Sequence, residues 1–89
     1  MAKHLIISGR VQGVGYRASM VDEARRLGIS GWVRNRRDGT VEAVVDGSAD
    51  AIAQIVGWAK RGPPGGRVAD VAVEETNGTF SAFHWLPTE

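Results

Sequence analysis

The densest chemistry in this chain lies in Gly9-Arg10-Val11-Gln12-Gly13-Val14-Gly15-Tyr16-Arg17. Glycines admit positive φ, so a chain that carries three of them within seven residues can curl and point successive N–H groups into one concavity. If a helix follows, the unsatisfied N–H groups of its first turn point the same way and its dipole adds partial positive charge. Such a cradle suits a tetrahedral dianion. Arg17 then stands at the helix start, where its guanidinium fork can grip two phosphate oxygens. The glycine pattern alone also fits an ordinary strand-to-helix turn that binds nothing. It is not a Walker loop, because no Lys-Ser/Thr pair follows, and it is not a dinucleotide fingerprint, because position 18 is alanine.

A second candidate is Asn35, in Gly31-Trp32-Val33-Arg34-Asn35. Asparagine is poor in strands, so its presence in one needs a reason. A structural hydrogen bond, a bulge and an active-site role all fit. An amide both donates to and accepts from a water, which suits holding a nucleophile in place. Asn35 shares parity with Val33, so both are expected on the covered side of a sheet.

The elements that must position these groups are legible from periodicity. His4 to Val11 alternates, with Leu5, Ile7 and Val11 on one parity, and predicts a strand that ends in the glycine loop. Arg17 to Leu27 carries Met20, Ala24 and Leu27 on one helical stripe, and Gly28 stands just past it as a terminator. Ser30 to Arg37 and Thr40 to Asp46 predict two strands, joined by a two-residue turn at Asp38-Gly39. Ser48 is a plausible N-cap for a second helix, with Ile52, Ile55, Val56 and Ala59 at i, i+3, i+4 and i+7, running to about Lys60. Gly62-Pro63-Pro64-Gly65-Gly66 must be loop. Val68 to Glu75 predicts a fourth strand, and Phe80 to Leu86 has the composition of a short closing one. The order βαββαβ, with a fifth strand left open, is the α+β, ferredoxin-like split βαβ sandwich: two helices on one face of an antiparallel sheet.

Composition agrees. Eighty-nine residues, 43% of them apolar, make one domain spanning 1–89. The absence of cysteine excludes disulfides, thiolate nucleophiles and thiolate metal sites. A net charge of +1 gives no reason to expect nucleic acid or an anionic membrane as partner. No apolar run is long enough for a signal peptide core or a membrane span, so the cytoplasm is the default compartment. The sequence does not encode an oligomeric state in readable form, and a monomer is the default expectation.

The remaining conspicuous residues have plain readings. His4 and His84 lie near the chain ends without metal-ligand spacing, and Ser8 and Ser19 lack a nearby histidine base. Asp22-Glu23 reads as a solvated helix face beside Arg25 and Arg26. Trp58 falls at the core edge, and Trp85 is expected to pack in the terminal strand. A different class is an RNA-binding module, since Trp32, Arg34 and Arg36 share the parity opposite Asn35 and Arg37 adds charge. Against it, Thr-Val-Glu-Ala-Val-Val-Asp on the third strand lacks the aromatic RNP pattern. A catalytically silent domain that senses an anion is a third reading.

The Gly9–Arg17 and Gly31–Asn35 segments strongly resemble the two signature motifs of the acylphosphatase family. The resemblance continues through Asp38-Gly39-Thr40-Val41-Glu42, Gly62-Pro63-Pro64 and Phe80-Ser81-Ala82-Phe83, and so covers nearly the whole chain. Tyr16 stands where the family often has phenylalanine, and Asn77-Gly78 and the tail after Phe83 are less typical. The resemblance implies hydrolysis of acyl phosphates to carboxylate and inorganic phosphate. Arg17 would bind the phosphoryl group with amides of Gln12, Gly13, Val14, Gly15 and Tyr16, and Asn35 would orient the attacking water. It implies no metal, no cofactor and no covalent enzyme intermediate. The expected ligands are a small acyl phosphate, inorganic phosphate or a similar anion.

Overall fold

Alternation of branched apolar residues puts one side of each central strand into a shared core. The computed structural model describes residues 1–89, in the order β1 (Ala2–Arg10), α1 (Tyr16–Arg26), β2 (Ser30–Asn35), β3 (Val41–Asp46), α2 (Ala49–Arg61), β4 (Arg67–Thr76) and β5 (Phe83–Trp85). The sheet order is β4-β1-β3-β2-β5. The first four strands pair antiparallel, and Leu5, Ala43 and Val33 form one buried row across β1, β3 and β2. The closing strand runs parallel to β2, with Phe83, His84 and Trp85 opposite Gly31, Trp32 and Val33. The four strands of the expected βαββαβ order are thus antiparallel, and the fifth strand, which the sequence left open, makes the sheet mixed. A parallel neighbour needs a long crossover, and β3, α2 and β4 supply it.

Both helices cover one face of the sheet. Tyr16, Met20, Val21 and Ala24 of α1 are buried, as are Ala51, Ile52, Ile55 and Ala59 of α2. Each large side chain so buried contributes about 1.5–3 kcal/mol. The Ser48 side chain caps α2 by accepting from the Ala51 amide at 3.1 Å. Gly31 holds φ +133°, and a Cβ there would lie 1.9 Å from the Val44 carbonyl oxygen. Only glycine lets β2 and β3 approach at that point.

The β2–β3 connection differs from the two-residue turn expected. Arg36 and Thr40 form the closing pair (Arg36 N–H to Thr40 O, 2.9 Å), and the Gly39 amide donates to the Arg36 carbonyl at 3.1 Å. The loop is three residues, Arg37-Asp38-Gly39, with Gly39 at φ +92°. Asp38 makes it rigid by accepting from the Thr40 amide at 3.0 Å and the Thr40 hydroxyl at 2.6 Å. Those bonds, the shorter one to the hydroxyl leading, hold its carboxyl below the usual carboxylate range.

Candidate functional site

The loop from Val11 to Gly15 joins the end of β1 to the start of α1. Gly13 lies at φ +75° and Gly15 at φ +79°, and a Cβ at either would meet no atom within 4 Å. Glycine is required there by backbone conformation and not by space. Gly15 occupies the N-cap position of α1, which has no side-chain cap and no acidic residue in its first turn. The amides of Gln12, Gly13, Val14 and Gly15, and those of Tyr16, Arg17 and Ala18 in the first turn, donate to no group in the protein. Seven successive N–H groups with no internal acceptor, at the positive end of a helix dipole, form a strongly anion-favouring backbone.

Two side chains hold this loop in shape. Gln12 points away from it, its amide donating to the Arg36 carbonyl at 2.7 Å and the Thr40 carbonyl at 2.9 Å. That ties the loop to the β2–β3 turn and leaves only the Gln12 backbone toward an anion. Tyr16 is buried, and its hydroxyl donates to the Ala59 carbonyl at 2.7 Å. In a continuing helix that carbonyl would accept from residue 63, but residue 63 is proline and has no N–H. Tyr16 supplies the missing donor, and its ring also leans on Trp58, with centroids 5.2 Å apart. Burial raises the pKa of the tyrosine hydroxyl and keeps it protonated for this bond.

A cavity of about 110 Å³ is lined by Val11, Gly13, Gly15, Tyr16, Arg17, Ala18, Asn35 and Trp85. Drug-sized and cofactor sites run to about 300–1,000 Å³, so the space suits a small head group. The structure thus brings Arg17, Asn35 and the loop to one place. Asn35 lies at the end of β2, on the covered side with the fully buried Val33, as its parity requires. Its main-chain carbonyl accepts from the Glu89 amide at 3.2 Å, and the residue borders the cavity.

Trp85 lies in the closing strand β5, as expected, and there meets a partner that the sequence did not show. It is 50% exposed and not packed in the core. The Arg17 guanidinium lies over its ring, 4.6 Å from the centroid. A tryptophan in a short terminal strand carries no local mark of such a contact, because its partner is nearly a chain length away. Val11 and Ala18 also line the cavity, and neither carries a polar side chain that would mark it in the sequence.

Elsewhere the chemistry is structural. On the open face of the sheet the Glu42 carboxylate accepts from His4 Nε2 at 2.7 Å and from Arg34 Nε at 2.8 Å. Burial pushes the Glu42 pKa up, but the His4 and Arg34 hydrogen bonds outweigh it and hold the carboxyl below its ordinary value. Arg36 and Arg37 are engaged by Glu89 through its side chain and main-chain carbonyl. The arginines that an RNA-binding face would use are therefore already paired. No three histidine, aspartate or glutamate side chains converge as metal ligands would. No helix is long and apolar enough to cross a membrane. A larger cavity of about 390 Å³, lined by Met1, Ala2, Glu75, Thr76 and Asn77, offers only the N-terminal amine and one carboxylate as ionisable groups.

Comparison with known proteins points one way. A family model described as Acylphosphatase matches residues 3–85. An acylphosphatase of Thiobacillus denitrificans is 59% identical over 80 residues, covering 90% of this chain and 90% of that protein. One of Pyrobaculum calidifontis is 54% identical over 89 residues, covering 97% of this chain and 81% of that protein. The solved structure of an acylphosphatase from Coxiella burnetii superposes with a TM-score of 0.92 at 37% identity, over 96% of this chain and 90% of that one.

Proposed function

The chain belongs to the acylphosphatase family, enzymes whose general reaction is the hydrolysis of acyl phosphates, and from that premise we propose a metal-independent mechanism carried by the amides of the Val11–Gly15 loop and the first turn of α1, by Arg17 and by Asn35. One observation carries the reading: the cavity shared by Arg17 and Asn35 is bordered by backbone amides that have no acceptor in the protein.

An acyl phosphate is already activated, because its leaving group is a carboxylate that needs no protonation. Catalysis then reduces to positioning and charge stabilisation. The amides of Gln12 to Ala18 and the Arg17 fork hold the equatorial phosphoryl oxygens. The Asn35 carboxamide holds a water in line with the leaving oxygen. The water oxygen attacks phosphorus, the bond from phosphorus to the carboxylate oxygen breaks, and the water proton passes to a phosphoryl oxygen. The products are carboxylate and inorganic phosphate. Asn35 fits a positioning role because an amide orients water without titrating.

The test is hydrolysis of benzoyl phosphate with and without excess chelator. Turnover is expected to be unchanged by chelator and competitively inhibited by inorganic phosphate. Activity abolished by chelator and restored by a divalent cation would contradict the mechanism.

A further inference from the structure

Arg17 has no hydrogen-bond or ion-pair partner in the protein, which leaves the Trp85 indole as the group that orients its head. We propose that Trp85 is the positioning residue for Arg17: the indole holds the guanidinium by its face, so that its N–H edge stays aimed at the phosphoryl group. The inference rests on the phosphate-binding role given to Arg17 above.

The two contacts do not compete. Cation–π attraction uses the flat face of the guanidinium, whereas phosphate is gripped by N–H groups in its plane. Arginine on a helix end has many rotamers, and an unsupported head would have to be ordered each time substrate bound. Stacking orders it beforehand.

The indole is itself fixed by the backbone. The Gly31 amide donates to the Ala82 carbonyl at 2.9 Å, and the Leu86 amide donates to the Val33 carbonyl at 2.9 Å, so β5 is pinned on both sides of Trp85. Arg25 Nη2 adds a bond from α1 to the Phe83 carbonyl at 3.3 Å. Phe83, on the same face two residues earlier, is the buried anchor of the strand. Trp85 pairs with Val33, two residues before Asn35 on β2. The group that orients Arg17 and the group that would hold the water are thus referenced to one strand register. Half of Trp85 is exposed, so core packing does not explain a tryptophan at this position.

The experiment compares wild type with Trp85→Leu, Trp85→Phe and Trp85→Ala, using benzoyl phosphate kinetics, inhibition by inorganic phosphate, and the 15N resonance of Arg17 Nε. Trp85→Leu keeps bulk without a ring. It is expected to raise KM and the phosphate inhibition constant about two- to fivefold, rising to roughly thirtyfold where the contact is desolvated. Trp85→Phe is expected to recover most of the loss. The ring-current shift of Arg17 Nε is expected to vanish in Trp85→Leu and Trp85→Ala and to persist in Trp85→Phe. Wild-type constants in Trp85→Leu, or rescue by leucine as good as by phenylalanine, would overturn the proposal. A wild-type protein that neither hydrolyses benzoyl phosphate nor binds phosphate would instead remove the catalytic premise, and this inference with it.

Discussion

Arg17 and Asn35 divide the work at the cavity by the chemistry of their end groups. A guanidinium offers a planar fork that a lysine ammonium cannot copy. Arg17→Lys is therefore expected to lower kcat/KM for an acyl phosphate on the order of 10²-fold, with both phosphate affinity and turnover affected. Asn35→Ala is expected to lower kcat on the order of 10²-fold while phosphate inhibition stays near wild type, because only the water loses its support. Steady-state kinetics with phosphate as competitive inhibitor separate the two patterns. Tyr16 acts one step back. Tyr16→Phe leaves the Ala59 carbonyl without its donor, since Pro63 cannot replace it. A stability loss of about 1–2 kcal/mol by denaturant unfolding is expected. The roles of Arg17 and Asn35 were readable because both stand in short local segments. That of Trp85 was not, because its meaning lies in a partner from another element. The Tyr16 hydroxyl likewise reaches an acceptor 43 residues away.

At the scale of elements, two kinds of glycine shape the site. Gly15 is needed for its φ alone, with open space where a Cβ would go, whereas Gly31 is needed for both φ and close approach to Val44. Gly15→Ala is expected to cost about 1–2 kcal/mol of stability and to weaken phosphate binding as the loop relaxes. Gly31→Ala is expected to cost about 3 kcal/mol or more, because β2 and β3 must separate. Unfolding curves of the two variants check the ranking, and a Gly31→Ala protein more stable than Gly15→Ala would refute it. The strands and helices were legible because apolar periodicity is a local signal. The length of the β2–β3 turn was not: Asp38-Gly39 marks a hairpin, but the Asp38 bonds to Thr40 select the three-residue form. The parallel direction of β5 was also hidden, since a three-residue strand has too few residues to show which edge it joins.

Across the whole molecule, the covered face of the sheet carries the cavity and the open face carries a charge network centred on Glu42. The network links β1, β3 and β2 through His4 and Arg34, so it braces the three central strands that position the loop and Asn35. Because the Glu42 carboxyl titrates lower in the folded protein than its ordinary 4.5, its contribution is full above that value and is lost as pH falls through the lower folded value. Glu42→Gln is expected to be about 1–2 kcal/mol less stable than wild type at pH 7. The gap should close on acidification below the ordinary carboxylate range, as measured by thermal unfolding across pH. A gap that widened on acidification would contradict the assignment. His4 and Glu42 lie 38 residues apart, so the link appears only once the sheet register is known. The account as a whole depends on the run of amides from Gln12 to Ala18 receiving a phosphoryl group, and titration of the 15N-labelled protein with inorganic phosphate tests this most directly. The amide protons of Gln12 to Ala18 are expected to move downfield together, with the Arg17 Nε proton, along one saturating curve. Saturation with those resonances unmoved, or shifts confined to another surface, would contradict it.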